Sequence, residues 1–120
     1  MAVPGTIATA KYDNGGEGVA YHDSDNVNQM SGTYRHGLGV DSNGSGVGWI
    51  LAGEWLEFTV NVSASGSYTI SIPVSHPGTG GSLHVSFNGV NVTGALGLPN
   101  TGSWGTQQNI IKTVTLNAGT

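Results

Sequence analysis

Apolar and polar residues alternate along most of this chain. In the stretch EWLEFTVNV, Leu56, Phe58, Val60 and Val62 fall on one parity, and Glu57, Thr59 and Asn61 on the other. In SYTISIPV, Tyr68, Ile70, Ile72 and Val74 alternate with Thr69, Ser71 and Pro73; in SLHVSFN, Leu83, Val85 and Phe87 alternate with Ser82, His84 and Ser86. A period of two is that of a β-strand with one face buried and the other wet or turned to a ligand. The segments ASG, HPGTGG, NG and PNTG separate these runs as turn signals, and Asn88-Gly89 between two short strands predicts a hairpin. No window of helical length repeats its apolar residues at three and four. The pattern therefore predicts an all-β chain built as a sandwich or jelly roll.

Two positions break the alternation. Pro73 sits within a strand and has no N–H for a ladder, which predicts an edge or a bulge there. Lys112 shares parity with Ile110, Val114 and Leu116, which puts an ammonium on an apolar face. It either snorkels, pairs with an acid, or marks a face that is not buried. The chain ends at LNAGT, which reads as the start of a turn after a strand.

Composition narrows the function classes. The 120 residues suit one domain, spanning 1–120, and include 21 scattered glycines without a collagen-like period. Lys11, Arg35 and Lys112 are the only Lys or Arg residues and the net charge is -4, so the basic footprint of a nucleic-acid or anionic-membrane partner is missing. There is no cysteine, hence no disulfide, thiolate metal site or thiol nucleophile. No apolar run is long enough to span a bilayer, and the first residues do not form a signal peptide.

Individual residues are read against ordinary structural roles. Trp104 lies in LGLPNTGSWG, a run of turn formers; its indole either caps the end of the core or is displayed for a ligand. Asn100, Thr101 and Ser103 read first as turn formers. Glu54 and Glu57 are three apart on a strand and point to opposite faces. A glycosidase needs two carboxylates facing one bond across roughly 5 to 9.5 Å, so no catalytic pair is predicted and the chain reads as a non-enzyme. Glu54 reads as a hydrogen-bonded structural acid, Trp49 as core, and Trp55 as core or a platform on a second face. His22, His36, His76 and His84 show no metal-ligand spacing. YHDSD offers His22, Asp23 and Asp25, but adjacent strand residues diverge and do not easily share one small ion. DNGGEG lacks the repeated acids of a calcium loop and reads as a tight turn.

At GGEGVAYHD, GWILAGEWLEFTVNV and LPNTGSW the chain closely resembles carbohydrate-binding module family 6, from about Ile7 to Thr120. The resemblance implies a jelly-roll β-sandwich of two antiparallel sheets, with a sugar cleft in the loops at one end. It implies that Tyr34 and Trp104 clamp a sugar ring, with Glu17 at the cleft rim; by residue type, Asn100, Thr101 and Ser103 could supply further hydroxyl and amide partners. A pyranose presents a flat face of C–H groups that packs on an aromatic ring, which explains the choice of residue type. The implied partner is a β-linked polysaccharide, and the implied location is outside the cell, as a module of a secreted bacterial enzyme.

The chain departs from the family in several places. Where an acidic strand usually helps to hold a structural calcium, it reads IATA, with Ala8 and Ala10. Gln107 stands where a second tryptophan is usual, Lys112 where an apolar residue is expected, and the loop from Met30 to Gly46 is irregular. The family continues past AGT into a last strand. The sequence thus predicts no cofactor, and a truncated or engineered module whose open sheet edge a second copy could cover. The alternative function is a scaffold that folds or self-assembles without binding sugar.

Overall fold

Two compact units make up the chain, Met1–Asn61 with Thr120 and Val62–Gly119. The computed structural model describes residues 1–25, 28, 35, 38–42, 44, 46–48 and 50–120. The strands are β1 (Ala2–Val3), β2 (Tyr21–His22), β3 (Trp55–Leu56), β4 (Asn61–Val62), β5 (Gly66–Val74), β6 (Ser82–Leu83), β7 (Ser86–Phe87), β8 (Val90–Asn91), β9 (Leu96–Gly97) and β10 (Gln108–Leu116). Among the described residues the one helical element is a 3-10 turn at Thr9–Lys11. No helix there is long and apolar enough to cross a membrane. The chain is all-β, as its period of two predicts.

In the first unit, β2 pairs antiparallel with β3, setting Tyr21 opposite Leu56 and His22 opposite Trp55. Tyr12, Ala20, Tyr21 and Val40 form the buried cluster, with Leu38, Val47, Leu56 and Phe58 packed against it. The two tyrosine rings meet edge to face at 5.6 Å, a geometry that places a positive ring edge on a negative ring face. The Arg35 guanidinium lies over the Tyr12 ring, 4.2 Å from its centre. The EWLEFTVNV run keeps its predicted faces, with Leu56, Phe58 and Val60 half-buried and Val62 buried. Its ladder, however, is interrupted between β3 and β4. There a side chain replaces the backbone partner: the Asp13 carboxylate accepts the Thr59 N–H at 2.8 Å and the Thr59 hydroxyl at 2.6 Å.

The second unit rests on β5 and β10, paired antiparallel over nine positions from Gln108 opposite Val74 to Leu116 opposite Gly66. Pro73 lies opposite Asn109 in this two-stranded sheet. β5 has no second described partner whose ladder would need the missing N–H, so an edge position accommodates the proline. Val114 and Leu116 are buried and Ile110 half-buried, yet Lys112 between them is exposed. The apolar face is therefore closed at the end of β10 and open toward its middle, and the ammonium sits where water reaches it. β7 and β8 form the predicted hairpin, with Phe87 opposite Val90. Asn88 and Gly89 take φ of 50° and 79°, the left-handed pair that a two-residue turn of this twist requires. SLHVSFN is split as well, because the Val85 N–H is taken by the Thr93 hydroxyl at 2.9 Å rather than by a strand.

Candidate functional site

The loop between β9 and β10 carries Trp104 in the second unit. Asn100 Oδ1 accepts the Gly102 N–H at 2.9 Å, a side-chain turn that Gly102 completes with φ of 79°. Ser103 and Thr106 then close a four-residue turn, through their hydroxyls at 2.9 Å and through the Thr106 N–H to the Ser103 carbonyl at 3.3 Å. Trp104 occupies the second position of that turn and is 74% exposed. Of the two readings open in the sequence, the indole does not cap a core: its ring is displayed. Asn100 shapes the turn, as its residue type predicts.

Glu17 lies in the first unit, at the GGEG turn, where Gly16 and Gly18 adopt φ of 80° and 79°. Both carboxylate oxygens have internal partners. Oε1 meets His22 Nδ1, and Oε2 accepts the Asp23 N–H at 3.0 Å. These bonds, that from His22 first and the Asp23 amide second, hold the carboxyl below the usual glutamate range. Tyr34, the second ring expected for a clamp, lies outside the described residues, as do Trp49 and His36.

Other predicted readings sort clearly. Glu54 accepts the Ser24 N–H at 3.0 Å, the Ser24 hydroxyl at 2.7 Å and the Leu51 N–H at 2.9 Å. Burial pushes its carboxyl up, but the amides of Leu51 and Ser24 and the Ser24 hydroxyl outweigh this and leave it lowered. Glu54 is a structural acid. Trp55 is 39% exposed and lies at a tilt beside His22, ring centres 6.5 Å apart; it is exposed rather than core. His84 is exposed between β6 and β7.

One grouping was not visible in the sequence. An oxygen from each of Asp23, Asp25 and Asp41 lies within 4.8 Å of the others. Asp25 is turned back by its N–H bond to Asp23 Oδ1 at 3.2 Å, while His22 diverges to Glu17 as expected. Asp41 arrives from a separate loop, so no local spacing signals it.

Comparison with known proteins identifies what this arrangement belongs to. The family model described as carbohydrate binding module (family 6) matches residues 23–120. The chain belongs to carbohydrate-binding module family 6. It is also similar to beta-agarase AgaA of Microbulbifer thermotolerans, with 32% identity over 72 residues. That similarity covers 59% of this chain and 16% of the agarase. The family is one of β-sandwich binding modules, and the antiparallel all-β pairs agree with it. Asn100, Trp104 and Tyr34 fall inside the matched span, and Glu17 lies before it. At IATA, Ala8 and Ala10 supply no side-chain oxygen, and Ala10 is buried.

Proposed function

We propose that the chain is a non-catalytic module that holds a polysaccharide-degrading enzyme on a β-linked glycan, acting outside the cell. The observation that carries this reading is the displayed Trp104, an indole set on a built turn in a chain of carbohydrate-binding family. A stacked sugar ring would cover the hydrophobic face that water now meets. In this reading Asn100, on the same loop as Trp104, supplies hydrogen bonds to hydroxyls, and the family resemblance adds Tyr34 and Glu17 as sugar-contact residues. An ionised carboxylate has about four lone-pair positions, so Glu17 retains acceptor capacity beyond its bonds to His22 and Asp23. The agarase relative makes an agarose-type galactan the first glycan to test. No step in this function transfers a proton, and it asks for no cofactor.

The test is a tryptophan-fluorescence titration with agaro-, xylo- and β-gluco-oligosaccharides, run beside Trp104→Ala. A saturable change that the variant loses supports the clamp and names the sugar. A flat response from the folded wild-type chain overturns it in favour of the scaffold reading.

A further inference from the structure

The loop that displays Trp104 is tied down at one buried side chain, and we infer that Thr101 is a positioning residue for sugar capture, an inference that rests on the function proposed above. Thr101 is 9% exposed although its neighbours Asn100, Gly102 and Ser103 are all exposed. Its N–H donates to the His76 carbonyl at 2.8 Å, and its Oγ1 accepts the His76 N–H at 2.9 Å. The same hydroxyl donates to the Ser103 carbonyl at 3.0 Å. The sense of each bond is fixed, because an amide can only donate and a carbonyl only accept. One hydroxyl thus joins the segment after β5 to the first residue of the Ser103–Thr106 turn.

Trp104 is the next residue along. The tie therefore reaches the backbone of the displayed ring in two hydrogen bonds, without touching the indole. His76 contributes through its backbone; its ring Nδ1 is buried without a hydrogen-bond partner among the described residues and plays no part. Leu98 anchors the start of the same loop, its N–H donating to the Gly81 carbonyl at 3.1 Å. A ring held before the sugar arrives does not have to be ordered on binding, and that saving appears directly in affinity. The tie needs the hydroxyl, a single atom that accepts from one segment while donating to the other.

The test compares Thr101→Val, which keeps shape and removes the hydroxyl, with Thr101→Ser, which keeps the hydroxyl. Affinity for agaro-oligosaccharide and the backbone heteronuclear NOE of Gly102, Ser103 and Trp104 are measured on each full chain. For Thr101→Val we expect affinity to fall roughly fivefold, with lower NOE values across the turn; Thr101→Ser restores both. A loss in Thr101→Ser as large as that in Thr101→Val would show that the hydroxyl alone does not hold the turn and overturn the inference. So would unchanged NOE values in Thr101→Val. If wild type and Trp104→Ala behave as proposed while Thr101→Val binds normally, only the positioning role falls. If wild type binds no sugar, the functional reading falls and the NOE comparison still decides whether Thr101 fixes the turn. Amide exchange in the unaltered chain gives a reading free of folding defects: the His76 and Thr101 amides should be protected, and exchange at the rate of an unstructured chain would overturn the tie.

Discussion

Glu17 and Trp104 are both exposed, both sit on glycine-containing turns, and both are expected to meet sugar, yet their surroundings differ. The Glu17 carboxylate is engaged at each oxygen by its own unit, through His22 and the Asp23 amide. Trp104 stands 74% exposed, and the bonds beside it, within its turn and from Thr101 to Ser103, run between hydroxyls and backbone groups. Exposure alone does not mark a binding residue. A polar group at the surface can be largely occupied by the fold, whereas an apolar ring in water has little to gain from neighbours it does not touch. The ring is the stronger candidate for the main contact and the acid for an accessory one.

The largest expected effect separates the two at once. Trp104→Ala should weaken oligosaccharide binding about fivefold or more, since a stacked ring is worth on the order of 1 kcal/mol or more. Its urea midpoint should stay close to wild type, as surface substitutions usually change stability by less than about 0.5 kcal/mol. A matching loss of stability would mean that the indole packs after all.

Glu54 sharpens the other side of the comparison. It is a carboxylate consumed by structure, so Glu54→Ala should cost about 1 kcal/mol in chemical denaturation while leaving sugar affinity unchanged. A binding defect would move Glu54 into the site. Glu17→Gln should be milder for binding than Trp104→Ala, about a threefold loss by titration. If it exceeded the loss from Trp104→Ala, the ranking of ring over acid would be inverted.

The smallest effect is on pH dependence. Asp13 is lowered from 3.8, chiefly by the Thr59 hydroxyl and then its amide, and Glu17 and Glu54 are lowered from 4.5. Carboxylates with depressed folded values contribute stability that is fully present above their unfolded values. Thermal midpoints should therefore be insensitive to these three groups from neutral pH down to about 4.5 and decline as pH falls below it. Substituting Asp13 by Asn should flatten that acid limb. An unchanged limb would show that the Thr59 bonds do not hold in solution.

Much of the fold was legible because its signals are local. The faces of β5, β7 and β10 follow the two-residue period, and the Asn88-Gly89 turn follows from two residues that tolerate positive φ. The split strands were less legible, since Asp13 and Thr93 act as substitute ladder partners across 46 and 8 residues of chain. Trp55 shows the limit of composition: a tryptophan within an alternating strand looks like core, but it shares parity with Glu57 on the wet face.

Sequence alone determined the all-β class, the hairpin and the presence of a tryptophan among turn formers, because periodicity and turn chemistry act between near neighbours; the family was legible only as a resemblance at three motif segments. Tertiary structure decided what each polar group is free to do. It turned Trp104 outward, occupied Glu17 with His22 and left Lys112 on the open part of its face. It also gave one threonine hydroxyl both ends of a tie between His76 and Ser103. Hydrogen-bond partners are chosen by proximity in space, and proximity between distant residues exists only once the chain has folded.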